Sequence, residues 1–377
     1  MREKMKKYLL NSFAIAIVLL VLVSCENNQP VEPNISENQI LIDKMKAAAD
    51  SIIENTHVPG LVALVVDHQK GIDWIYEAGL SNIPEKLPMN REYIFRIGSN
   101  TKTFVITVLL QLVDEKKLSL DDKLSKYFPE YPMSDVITID MLANMTSGIY
   151  NFTNDENFWT TVANDPQKIW TPKELTDWGF SFELNFSPGS KWEYSNTNTI
   201  IIGRIIETVT GNSLESEIKD RIIQPLQLNN TGLLTSGLDF PEPHPRGYYN
   251  GEYEPGDDLT AFNDISWAWA AGSVYSKPRE LQKYVEAMVG GGLVSASTQQ
   301  RRLNDLKYIT ENTYYGLGIL KRGSFYGHNG ALIGFSSSMY HSNLRNATII
   351  IYFNGLLPEK ADLLFFKIVN ILYGKDY

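Results

Sequence analysis

What most constrains this chain is that its strand-like runs sit at its two ends. Near the start, "LVALVVD" (Leu61–Asp67) and "IDWIYEAG" (Ile72–Gly79) read as a hairpin around "HQKG"; near the end come "YYGLGIL", "SSSMYH" and "ATIIIYFN". Helical periodicity flanks both groups, with Ile40, Ile42, Met45, Ala48 and Ile52 at the front and "ADLLFFKIVNILYG" at the back. Between them, over roughly residues 105–265, lie short helical segments and loops such as "NTIIIGRIIETVTG". From about Trp267 to Met288 a further helical piece precedes the late strands. This order predicts an α+β fold: one antiparallel sheet built from both ends, flanked by terminal helices, with an all-α lobe inserted and a cleft at the junction.

The chain has 377 residues, 43% hydrophobic and 21% charged, which supplies ample material for a large core. A net charge of −10 argues against nucleic acid as a partner. The opening "MREKMKKYLLNSFAIAIVLLVLVSC" has a basic start, an unbroken apolar run and a small residue before the only cysteine, and resembles a bacterial lipoprotein signal peptide. The resemblance implies removal of residues 1–24, lipid on Cys25, a polar tether over residues 25–35 and a folded domain over 36–377. Such a protein is expected at the bacterial cell envelope, membrane-anchored and facing the periplasm or the exterior.

Few residues could do chemistry. The five histidines are scattered, no HExxH is present and Cys25 is taken by lipidation, so neither a metal nor a cofactor is expected. G-x-S-x-G elbows and phosphate-cradling glycine loops are missing too. In "RIGSNTKTFV", however, Ser99 opens an apolar helix and Lys102 follows on the same face. The helix start offers N–H groups and a positive dipole end to an oxyanion, and a desolvated Lys102 could take the serine proton. Alone, the pair reads more readily as a cap and a solvated lysine. Ser216 and Lys219 show the same spacing in the acidic stretch "LESEIKDRI".

Two further stretches change that reading. "PGSKWEYSNTNTIIIG" puts Tyr194 and Asn196 just ahead of an apolar helix, and "FYGHNGALIGFSSSMY" puts His328, Asn329 and Gly330 just ahead of a strand. Ser-x-x-Lys, Tyr-x-Asn and His-x-Gly, in that order, resemble the serine penicillin-recognising family of D-alanyl-D-alanine carboxypeptidases, class C β-lactamases and related esterases. Within it, "GIYNFTND", "YSNTNT" and "SWAWAAG" look closest to the Streptomyces-type D-alanyl-D-alanine carboxypeptidase. The resemblance implies that Ser99 becomes acylated, that Lys102 and Tyr194 share proton transfer, and that Asn196 holds the acyl-side amide. It further implies that His328 takes an electropositive place filled by lysine elsewhere and relays a proton through Tyr194. The oxyanion would sit between the N–H groups of Ser99 and Ala331, Gly330 would admit the substrate backbone, and Trp267 and Phe158 would line the cleft.

The departure from the family pattern lies just after His328. Carboxypeptidases of this kind often carry hydroxyl residues there to bind the terminal carboxylate; here the places are Asn329 and Ala331, leaving Lys321 or Arg322 to supply a charge. The expectation is a serine hydrolase, first a D-alanyl-D-alanine carboxypeptidase acting on cell-wall stem peptides. Second is an esterase or D-amino-acid amidase or peptidase, and third a β-lactamase. From another class comes a catalytically silent envelope lipoprotein that binds peptidoglycan through the same cleft.

Overall fold

Unbroken apolar strands at both ends are what a sheet covered on both faces requires. The computed structural model, which describes residues 36–249 and 258–374, contains such a sheet. Its nine strands are β1 (Gly60–Asp67), β2 (Ile72–Asn82), β3 (Leu87–Pro88), β4 (Lys307–Thr310), β5 (Thr313–Tyr315), β6 (Leu320–Arg322), β7 (Phe325–Leu332), β8 (Phe335–Ser342) and β9 (Ala347–Phe353). They run antiparallel in the order β3-β2-β1-β9-β8-β7-β6-β5-β4. The two ends of the chain therefore meet at β1 and β9, where Leu61 lies opposite Phe353 and Asp67 opposite Ala347.

Five helices position the rest: α1 (Glu37–Asn55), α2 (Thr101–Asp114), α3 (Asn196–Thr210), α4 (Pro278–Val289) and α5 (Pro358–Tyr373). Side chains alternate along β1. Leu61, Ala63 and Val65 share a core with Met45 and Ile52 of α1 and Leu364 and Ile368 of α5. Val62, Leu64 and Val66 share another with α2, α3 and α4. Because both sides are covered, β1 shows no polar alternation. Leu41–Tyr377 forms one compact unit, and the expected leader, Cys25 and tether lie outside the described residues.

Shorter helices at Ile139–Ala143, Glu156–Asn164 and Pro172–Phe180 fill the region between α2 and α3. The stretch Trp267–Met288, which reads as one helical piece, is divided. One turn of helix at Trp269–Gly272 gives way to a strand at Val274–Ser276, and Pro278 then starts α4. Val274–Ser276 pairs with Phe95–Arg96 and Gly232–Leu233 in a small second sheet, which pins the chain just before α2.

Candidate active site

Ser99 lies in a single 3-10 turn, Gly98–Asn100, that runs into α2. The turn is tied on two sides. Ile97 N–H donates to the Val274 carbonyl at 3.0 Å, while Asn100 Nδ2 and Ser337 Oγ donate to the Ile97 carbonyl at 2.9 Å each. Strand β7 passes so close that a Cβ on Gly98, whose φ is +54°, would lie 2.7 Å from the Ala331 nitrogen, and one on Gly330 would lie 2.0 Å from the Ile97 carbonyl oxygen. Glycine is a steric requirement at both positions, and the Ala331 end of β7 runs beside the serine turn.

Lys102 is fully buried on the first turn of α2. Its Nζ lies 2.7 Å from Asn196 Oδ1, 2.7 Å from the Ala271 carbonyl oxygen and 3.1 Å from Ser99 Oγ. None of the three is a carboxylate, and burial pushes the amine well below the usual lysine range. A neutral amine has two N–H groups and one lone pair. The carbonyl and amide oxygens can only accept, so they take the N–H groups and leave the lone pair to the Ser99 hydroxyl.

The end of the Asn196 amide that faces the lysine is fixed by a chain of donors. Asn196 N–H donates to Asn151 Oδ1 at 3.0 Å, and the Thr153 hydroxyl donates to the same oxygen at 3.0 Å. Thr153 Oγ1 therefore accepts from Asn196 Nδ2 at 2.9 Å, which turns Asn196 Oδ1 to Lys102. Sequence reasoning missed Thr153 and Asn151 as site residues, although both stand in the quoted stretch "GIYNFTND".

Tyr194 is half-buried, with the Lys102 amine 4.9 Å from its ring centroid. Its hydroxyl is sealed from solvent and lacks a hydrogen bond of good geometry; burial raises the phenol's pKa, and nearby Ser99 opposes that shift. The role expected of His328 needs correction. Its Nδ1 lies 2.5 Å from the Asn329 carbonyl oxygen, an obligate acceptor, so Nδ1 carries the proton and Nε2 accepts from the Tyr315 hydroxyl at 3.2 Å. Burial above all pushes the imidazole down to about 3, so it is neutral rather than electropositive at physiological pH. Its hydrogen-bond partner is Tyr315, not Tyr194, whose ring centroid is 6.1 Å away.

Two cavities open at Ser99. One, of about 210 Å³, runs under the helical lobe between Phe152, Thr153, Trp159, Asn196 and Trp267. The other, of about 400 Å³, runs along the sheet past Tyr194, Tyr315, Arg322, His328, Asn329 and Gly330. Ser99 and Ala331 line both, so a carbonyl held between them has one substituent in each cavity.

Trp267 borders the first cavity, but Phe158 does not, and this too is a correction. On the Glu156–Asn164 helix, Phe158 and Val162 make the inward stripe, and Phe158 packs against Phe152 and Trp170 with centroids 4.9 Å apart in each case. Its neighbour Trp159, turned about 100° around the helix, reaches the cavity instead. The second Ser-x-x-Lys pair stays at the surface, with Lys219 exposed and Ser216 Oγ 3.4 Å from Asp220 Oδ2.

A nine-stranded antiparallel sheet, a helical lobe, and a serine beside a buried lysine at their junction define a protein of the serine penicillin-recognising class. The Beta-lactamase family model matches residues 41–370, and the chain belongs to that family. It is similar to the penicillin-binding protein PbpX of Bacillus subtilis, at 26% identity over 261 residues; the match covers 69% of this chain but 62% of that one, less than two thirds of the relative's length. The solved D-stereospecific amidohydrolase from Streptomyces sp. superposes with a TM-score of 0.78 at 30% identity, covering 88% of this chain and 99% of that one. The D-amino acid amidase from Ochrobactrum anthropi SV3, complexed with L-phenylalanine amide, also gives 0.78, at 25% identity over 90% of this chain and all of the other.

Proposed function

We propose that this protein is a serine hydrolase, an amidase or peptidase that acylates Ser99 and acts on small D-configured substrates. The observation that carries the proposal is the Lys102 environment, whose two acceptors at 2.7 Å leave its lone pair for Ser99. Ser99 Oγ attacks the carbonyl carbon, and Lys102 takes the hydroxyl proton. The oxyanion is met by the N–H groups of Ser99 and Ala331. As the carbon–nitrogen bond breaks, Tyr194 hands a proton to the leaving nitrogen and recovers one from Lys102. Tyr194 borders the second cavity, so the amine departs there and the acyl group occupies the first one, beside Asn196. Water then repeats the sequence to release the acid. His328, neutral and hydrogen-bonded to Tyr315, supports the wall behind Tyr194 and relays no proton in this scheme.

The D-configuration is carried from the two solved relatives by their names and likeness. A D-alanyl-D-alanine carboxypeptidase acting on cell-wall stem peptides is the second reading, favoured by the likeness to the penicillin-binding protein PbpX. Lipid attachment at Cys25, holding the enzyme at the cell envelope, belongs to the same proposal and rests on "LVSC". Among the described residues no helix is long and apolar enough to cross a membrane. Cys25→Ala should abolish incorporation of labelled fatty acid into the protein.

The test incubates the form lacking residues 1–25 with D-phenylalanine amide, a stem pentapeptide, a p-nitrophenyl ester and nitrocefin, beside Ser99→Ala. Ser99-dependent ammonia release supports the first reading, and D-alanine release the second. Turnover of the ester alone makes the enzyme an esterase, and of nitrocefin alone a β-lactamase. Parent and mutant alike in turning over nothing would leave a peptidoglycan-binding protein.

A further inference from the structure

The leaving-group cavity carries a cation that is already engaged. Arg322, at the end of β6, has a side chain 12% exposed and pairs with Asp362 of α5: Nη2 donates to Oδ2 at 2.8 Å, and Nη1 lies 2.8 Å from Oδ1. The same carboxylate accepts from Asn329 Nδ2 of β7 at 2.8 Å and from Ser338 Oγ of β8 at 2.8 Å. Asp362 thus gathers donors from three neighbouring strands. Arg322 and Asn329 border the cavity, and both direct N–H groups to Asp362. Lys321, the other cation at hand, does not border it; its amine lies over the rings of Tyr314 and Tyr326, 5.4 and 5.9 Å from their centroids.

We propose that Asp362 is a specificity-determining residue that blinds the leaving-group cavity to a terminal carboxylate, so that neutral leaving groups are preferred. The inference rests on the acyl-transfer reading above and names its substrate class: primary amides, and peptides or esters whose departing part ends uncharged. A free guanidinium on that wall would grip a carboxylate with two parallel hydrogen bonds. Here Asp362 accepts from Nη2 and stands 2.8 Å from Nη1, which makes no hydrogen bond of good geometry, so an incoming carboxylate would meet a guanidinium already neutralised and then stand beside a second negative charge. The Asn329 N–H aimed at Asp362 is likewise withdrawn from the cavity.

The experiment compares D-phenylalanyl-D-alanine with D-phenylalanyl-D-alaninamide, which share an acyl group and differ only in the end charge of the leaving group. Wild type should favour the amide in kcat/KM by about tenfold or more, the worth of a charge-assisted contact. Asp362→Asn frees Arg322 and should shift the ratio toward the carboxylate by on the order of 10- to 100-fold, and adding Arg322→Gln should remove that shift. The wild-type preference is itself a test that holds even where Asp362→Asn does not fold. A wild type that prefers the carboxylate, or a ratio unmoved by Asp362→Asn, overturns the inference alone. Failure to turn over either substrate in a Ser99-dependent way overturns the acyl-transfer reading, and this one with it.

Discussion

Lys102 Nζ stands 2.7 Å from the backbone oxygen of Ala271, in the turn that leads into Val274–Ser276. A carbonyl can only accept, and it belongs to the backbone, so no side-chain substitution at Ala271 removes it. Together with Asn196 Oδ1 it commits the hydrogens of a neutral amine, and geometry thereby favours proton flow from Ser99 to Lys102. The small second sheet, which looks peripheral, carries this function: it holds Ala271 and the Ser99 turn in one frame.

Lys102→Met keeps most of the buried volume and deletes the base. Single-turnover acylation, followed as the mass gained by the protein, should slow by on the order of 100- to 10,000-fold while the fold is kept. Because burial holds the amine well below the ordinary lysine value, the wild-type kcat/KM should rise with pH on a limb far below 10.5, the deprotonated form being active. Acylation at the wild-type rate in the variant would put the base elsewhere.

Thr153→Val is nearly isosteric but can neither donate to Asn151 nor accept from Asn196. The Asn196 amide is then free to turn, and an amide N–H facing Lys102 would compete with the lysine's own hydrogens. We expect kcat/KM to fall about tenfold and Thr153→Ser to restore most of it, since the lost contacts are hydrogen bonds of ordinary strength. Equal activity of the valine and serine variants would remove Thr153 from the network that orients Asn196.

The parts of this molecule that can be read in the sequence are those with a period or a motif. β1 and β9 announce themselves because both of their faces are covered, and Ser99, Tyr194 and His328 through spacing and family likeness. Phe95–Arg96 and Gly232–Leu233, two residues each, are too short to show any period. Phe158 and Trp159 are adjacent aromatics on one short helix, and which of them faces the cavity depends on where the core lies. Thr153 and Asn196 are 43 positions apart, and Arg322 and Asp362 are 40; such polar pairs leave no local signature, so the network around Lys102 and the masking of Arg322 emerge only when the chain is folded. His328 shows the limit of motif reading: position and spacing identify it, but its charge is set by burial that the motif does not encode.

Gly330→Ala tests the close approach of β7 to the serine turn. The added methyl would sit 2.0 Å from the Ile97 oxygen and 2.6 Å from Ser337 Oγ, so the strand must move away. Chemical denaturation should show a loss of about 1–3 kcal/mol, typical of overpacking, and acylation should fall further than stability because the Ala331 N–H shifts with the strand. Full acylation in a stable variant would show that Ala331 does not meet the oxyanion.

His328 makes a prediction about acid. Its imidazole is held at about 3 in the folded protein, against about 6.5 in an unfolded chain. Between those values the unfolded state binds a proton that the folded state refuses, so the unfolded state gains and stability falls as pH drops; above about 6.5 the histidine contributes no slope. From pH 7 to 4 this one residue should cost about 3 kcal/mol, an order-of-magnitude figure from 1.36 kcal/mol per pH unit. His328→Gln removes the ionisable group, so urea denaturation at the two pH values should show a smaller loss in the variant than in wild type by about that amount. Equal losses in the two proteins would mean that the folded protein admits a charged imidazole at pH 4, beside Tyr194, where the proposed mechanism has none.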